Sequence, residues 1–164
     1  MTMAQQSTRT ATVTTPRERE IYIEREFDAP RDRVFALFID PELIPQWWGP
    51  RGTTAEVIEM DARTGGDWTF VAHGSDGSQT GFRGTFREVT APERIVQTFE
   101  WDGMPGYVSV DSVEFVELAD GRTKMICTSL FHTNEERDGM IGAGMEGGMN
   151  ETYQRFDELL ASHG

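Results

Sequence analysis

The residues able to do chemistry in this chain are scattered rather than gathered into a motif. His73 precedes the turn Gly74-Ser75-Asp76-Gly77, His132 follows the last extended run, and His163 sits in the C-terminal tail. None belongs to an HExxH helix. No paired-cysteine spacing and no G-x-S-x-G elbow occurs, and "GAGMEGG" neither follows a strand nor leads into Lys-Ser or Lys-Thr, as a phosphate loop would. The expectation is no metal and no cofactor. Cys127, the one cysteine, lies within an apolar alternation and reads as a packing residue that forms no intrachain disulfide. Carboxylates such as Glu56, Glu100 and Glu114 are numerous, but a general acid or base needs burial and a partner, which the sequence alone does not display. Two polar residues stand out by position. Gln97 falls between Ile95 and Phe99, and Asp111 shares parity with Val113 and Phe115. A polar group on an inward face needs a hydrogen-bonding partner, and a ligand is one such partner. For Asp111 a wet strand end or a one-residue bulge is the competing reading. His132 is the histidine whose strand-end position suits the rim of a cavity.

Strands and helices must position these groups, and the hydrophobic period identifies them. "REREIYIEREF" alternates Ile21 and Ile23 with charged neighbours and reaches Phe27 two steps beyond Arg25, the period of a half-buried strand. Asp28 then reads as an N-cap and Pro30 as a first-turn residue of a helix carrying Val34, Phe35 and Phe38, stopped by Pro41. A second short helix is expected over 41–46, ended by Pro45 and Gly49. Six further runs, "TTAEVIEM", "GDWTFVAH", "TGFRGTFREV", "RIVQTFEW", "VSVDSVEFVEL" and "TKMICTSLF", are joined by short Gly-, Asp- and Pro-containing links. Links of that length make antiparallel neighbours. After Thr133 the period becomes helical: Met145, Met149, Phe156 and Leu160 form one stripe flanked by Tyr153 and Leu159. The glycine-rich stretch 139–148 reads either as a loop or frayed helix start, or as a movable lid, since glycine costs about 1 kcal/mol relative to alanine inside a helix.

These elements predict an α+β fold of the helix-grip kind: a curved seven-stranded antiparallel sheet wrapped around a long C-terminal helix, with two short helices between the first and second strands. A curved sheet cannot touch a straight helix along its whole length, so a gap remains for side chains or a ligand. The expected lining is Trp68, Phe70, Phe82, Gln97, Phe99, Trp101, Asp111, Phe115 and Met125 from the sheet, Met145 and Met149 from the helix, and His132 at the rim. Broad rings and adaptable methionines suit a flat or greasy molecule, although the same residues make an ordinary filled core. In "PQWWGPRG" the breakers fix a bend, and successive side chains point different ways. One of Trp47 and Trp48 is expected to plug the core and the other to border the cavity entrance.

Composition narrows the possibilities. With 164 residues, 37% hydrophobic content and no long apolar run, the chain reads as one intracellular, cytoplasmic domain over 18–164 preceded by a polar arm over 1–17. The formal charge of −13 argues against nucleic acid and anionic membranes as partners. A sheet edge and the arm make a homodimer a reasonable expectation.

The segments "REFDAPRDRVFALFIDPELIPQWWGPRGTT", "DG" at 76–77, "FREVTAPERIVQTFEW", "VEFVELADGRTKM" and "GMEGGMNETYQRFDELLA" resemble the family of activators of the 90-kDa heat-shock-protein ATPase. The resemblance is to its stand-alone bacterial members in the START/Bet v 1-like (SRPBCC) superfamily and runs from about Ile21 to Ala161. It implies the helix-grip fold. For function it leaves three classes open, because such folds host carriers, cyclases and hydrolases, and chaperone partners alike. The inward aromatic residues favour a protein that binds a small hydrophobic or aromatic molecule. An enzyme of the aromatase, cyclase or hydrolase kind and a chaperone-associated protein of the stress response are the alternatives.

Overall fold

A computed structural model describes residues 9–162. The elements in chain order are β1 (Thr12–Thr14), β2 (Glu20–Phe27), α1 (Arg31–Ile39), α2 (Ile44–Trp47), β3 (Thr53–Met60), β4 (Asp67–Gly74), β5 (Gln79–Thr90), β6 (Arg94–Trp101), β7 (Ser109–Glu117), β8 (Thr123–Leu130), α3 (Asn134–Gly142) and α4 (Met145–Ser162). The strands form one antiparallel sheet in the order β1-β2-β8-β7-β6-β5-β4-β3. From β3 to β8 each strand pairs with its successor, as short links require. The exception is the step from β2 to β3, which lie near opposite edges. Its connection must cross the sheet, and α1 and α2 are that crossing.

The sheet has eight strands among the described residues, not seven. The additional strand is β1, inside the expected arm, paired through Thr12 to Glu24, Val13 to Ile23 and Thr14 to Tyr22. Three residues with mostly exposed side chains leave no hydrophobic period to read. Residues 1–8 of that arm lie outside the described residues, as does His163. Helix α1 starts after Pro30, which occupies the N-cap; Asp28 instead pairs with Arg9 and Arg122. In α2, Pro45 stands in the first turn, so this proline starts the helix rather than ending it. The C-terminal region is two helices rather than one. They break at Ala143 and Gly144, and Gly144 has φ of +84°, a conformation glycine tolerates without a Cβ clash. Gly139 and Gly142 belong to α3 and Gly147 and Gly148 to α4, so most of the glycine-rich stretch is helical.

The core explains why α4 holds on where it does. Phe156, Leu159 and Leu160 in its C-terminal half are buried, and Phe156 meets Phe27, Phe38 and Trp47 with ring centroids 4.8, 5.2 and 4.7 Å apart. Phe35 and Phe38 of α1 close over Phe115 of β7 at 5.4 and 5.2 Å. This end of the grip is filled. Toward its N-terminus α4 carries Met145, Met149 and Thr152, which are only partly buried. There the helix stands off the sheet.

Candidate binding cavity

The space left under that half of α4 is a cavity of about 440 Å³. One wall is aromatic: Phe82 from β5 and Phe99 and Trp101 from β6. The adjoining part of the sheet, from β2, β7 and β8, adds Ile21, Ile23, Ser109, Asp111, Cys127 and Ser129. Met140, Met145, Met149, Thr152 and Tyr153 roof it from α3 and α4, and Trp47, Trp48, Gly49 and Pro50 close the side.

Eight of the residues expected from sequence thus come together around the cavity: Trp47, Trp48, Phe82, Phe99, Trp101, Asp111, Met145 and Met149. Trp68, Phe70, Phe115 and Met125 face inward but are buried in the filled core and do not line the cavity. Trp68 lies over Gly84, where a Cβ would sit 2.6 Å from the indole nitrogen and 1.9 Å from the Thr98 carbonyl oxygen, so that wall tolerates no side chain. Gln97 is the cross-strand partner of both Phe86 and Asp111, yet it is not among the lining residues. His132 is exposed; its neighbour Phe131 is the buried residue that reaches the cavity, a difference of one position in parity. Sequence reasoning passed over Ser109 and Ser129. Their signal was available, because Ser109 shares the parity of Asp111 and Ser129 that of Cys127.

The two tryptophans divide as the bend predicts. Trp47 is buried, and its Nε1 donates to the Leu37 carbonyl at 3.1 Å. Trp48 is half-buried and packs edge-on against Phe70 and Phe82 at 5.2 and 4.7 Å. Helix α4 fastens the loop that carries them. Arg155 donates to the Gly49 carbonyl at 2.9 Å, Glu151 accepts from the Arg51 backbone N–H at 2.9 Å, and the Arg51 guanidinium reaches Glu158 at 3.1 and 2.5 Å.

A second charged feature is Arg25. It shares the inward parity of Ile21, Ile23 and Phe27, is 3% exposed, and forms a bidentate pair with Asp157 of α4 at 2.7 and 2.6 Å. Its guanidinium also lies over the Phe27 ring, 4.8 Å from the centroid.

Asp111 has no such partner. Its Oδ1 accepts from the Ser109 hydroxyl at 2.9 Å, and the Ser129 hydroxyl also supports it. No basic side chain among the described residues pairs with it. Burial pushes its carboxyl up to about 6, against the downward pull of the two serines. The same environment raises the Cys127 thiol and the Tyr153 hydroxyl, so both stay protonated at neutral pH. Between the ordinary value of 3.8 and about 6, the native state holds a proton that the unfolded chain has lost. Stability therefore falls as pH rises through that window. Replacing Asp111 by asparagine removes the penalty. At pH 7.5 the variant is expected to gain on the order of 2–3 kcal/mol, shrinking toward zero near pH 4. Urea denaturation across that range measures it, and an equal or lower midpoint at pH 7.5 would contradict the account.

A curved antiparallel sheet gripping a C-terminal helix, with a cavity where the two separate, defines a helix-grip domain. The family model for "Activator of Hsp90 ATPase homolog 1-like protein" matches residues 28–161, and the chain belongs to that family. Solved structures share the fold. A protein from Rhodobacter sphaeroides is 22% identical, with a TM-score of 0.86 over 94% of this chain and 99% of that one. One from Arthrobacter aurescens is 27% identical, with a TM-score of 0.83 over 92% and 91%. The AHSA1 protein from Silicibacter pomeroyi is 21% identical, with a TM-score of 0.73 over 88% and 99%. Among curated proteins there is no match to the chain. No described helix is long and apolar enough to cross a membrane.

Proposed function

We propose that this protein binds a small hydrophobic or aromatic molecule and encloses it between the sheet and the N-terminal half of α4. The observation that carries this reading is the standing-off of α4, which leaves about 440 Å³ lined by aromatic rings, methionines and a few convergent polar groups. That volume lies within the roughly 300–1,000 Å³ usual for small-molecule sites, and the mixture of many apolar walls with few polar anchors is their usual chemistry. The cavity favours this role over a chaperone-docking one.

One observation speaks for the enzyme reading. Asp111 is a half-buried acid lining the cavity, with its carboxyl raised by burial, the kind of group that general acid–base chemistry uses. Its neighbours do not extend that role: Cys127 and Tyr153 are both held protonated, so neither supplies a nucleophile or a complementary base. Binding is the stronger reading.

Native mass spectrometry of freshly purified protein tests it before any ligand is guessed. The expected spectrum contains a population heavier than the chain by the mass of one small molecule, which solvent extraction releases. Protein that carries nothing and takes up no member of a panel of apolar aromatic compounds would overturn the proposal.

A further inference from the structure

We propose that the ligand carries a positively charged nitrogen at one end, an ammonium seated against Asp111, with its apolar body between Trp48, Phe82, Phe99 and Trp101. This rests on the binding reading above and adds the charge of the ligand to it.

The argument begins with an imbalance. A carboxylate taken out of water is costly unless a cation or several donors compensate it. On the same inner face one charge is matched by a counter-ion and the other is not. Arg25 and Asp157 satisfy each other with two short bonds, whereas Asp111 receives only hydroxyl hydrogen bonds. Among the described residues, the polar groups beside Asp111 are uncharged at neutral pH. Ser109 comes from β7, Cys127 and Ser129 from β8, Gln97 is its register partner on β6, and Tyr153 descends from α4. Arg25 lies 5.9 Å from the centroid of the Tyr153 ring and acts on its hydroxyl, but it does not figure among the groups acting on Asp111. The unmatched negative charge borders the cavity rather than solid core, so a ligand can reach it.

The remainder of the site suits a cation as well. Ring faces attract positive charge, most strongly when water is excluded, and seven aromatic side chains line the same space. The formal charge of −13 concentrates cations around the protein and repels anionic competitors. A carboxylic or phosphate ligand would bring a second negative charge against Asp111.

The competing arrangement has Asp111 protonated and donating to a carbonyl of a neutral ligand. The two differ in the sign of their pH dependence. A cationic ligand needs the ionised carboxylate and binds better as pH rises through about 6, while a carbonyl ligand needs the acid form and binds better as pH falls.

Three probes on one framework separate these cases: 2-(1-naphthyl)ethylamine, 1-propylnaphthalene and 3-(1-naphthyl)propanoate, titrated calorimetrically into the full chain. At pH 7.5 the amine is expected to bind at least tenfold more tightly than the propyl compound, and the carboxylate more weakly than either. The amine's advantage should shrink at least threefold between pH 7.5 and pH 5. In Asp111→Asn the amine and propyl affinities should come within twofold of each other at both pH values. Parallel titration of that variant removes the contribution of the protein's overall charge. A propyl compound that binds as tightly as the amine in the unmodified protein would overturn the ammonium site while leaving the cavity proposal standing. So would an amine preference that persists in Asp111→Asn or grows as pH falls. If no probe binds, both proposals fall.

Discussion

Asp157→Ala is expected to lower the stability of the fold by about 3–5 kcal/mol, the cost of leaving a buried charge without its partner. The affected charge is the guanidinium of Arg25, whose side chain is fully buried, whereas that of Asp157 is 16% exposed. Removing the aspartate strips two bonds of 2.6–2.7 Å and leaves, as hydrogen bonds, those to the backbone oxygens of Glu26 and Arg9 at 3.2 and 3.4 Å. The Arg25 Nε is already buried without a partner, so the fold has no spare acceptor to offer. In a chain of this length the loss corresponds to a melting point lower by roughly 6–20 °C. The double replacement Arg25→Met with Asp157→Leu should be far milder, because it removes the charge together with its partner and leaves apolar groups between Phe27 and α4. Guanidinium denaturation of both variants decides the matter. A single variant within 1 kcal/mol of the parent, or a double variant worse than the single, would show that the pair does not anchor α4.

That pair also shows where the sequence was readable and where it was not. Arg25 stands two residues from Ile23 and two from Phe27, so its inward parity is explicit in "IYIEREF". Its partner is 132 residues away, and nothing local points to it. Strands β3 to β8 were legible because short links fix antiparallel neighbours, and in β4 and β8 a buried face alternates with a wetter one. Strand β1 is too short for a period to appear, and the break between α3 and α4 rests on one left-handed glycine among several.

The inner face itself was legible, but not which part of it is filled. Phe115 and Phe82 look alike in sequence. Phe115 lies under the α1 crossing, against Phe35 and Phe38, while Phe82 lies under the raised end of α4. Only the path of the helices distinguishes them. Serines were overlooked because a pattern of apolar alternation does not register small polar residues, although Ser109 and Ser129 stand at inward positions beside Asp111. His132 shows the opposite error, since a histidine draws attention by its chemistry while Phe131 occupies the inward position.

Trp47→Ala and Trp48→Ala are expected to fail in different ways, although the residues are adjacent. Trp47 is enclosed by Phe38 and Phe156 and donates to the Leu37 carbonyl, so truncation leaves a large void and an unpaired buried oxygen. The expected loss is about 3–5 kcal/mol. Trp48 borders the cavity, and the path of its loop is held independently by Arg155, Glu151 and the Arg51–Glu158 pair. Its truncation should cost about 1–2 kcal/mol, since a half-buried ring leaves space open to the cavity rather than an enclosed void. Ligand retention should respond in the reverse order: Trp48→Ala removes the ring that packs on Phe82 and widens the opening, so its folded form releases the bound molecule at least tenfold faster. Denaturation followed by the remaining tryptophans gives the first quantity, and native mass spectrometry after timed dilution gives the second. Folding damage greater in Trp48→Ala than in Trp47→Ala would reverse the assignment of core and rim. Unchanged ligand release from a folded Trp48→Ala protein would remove this residue from the cavity wall in any functional sense.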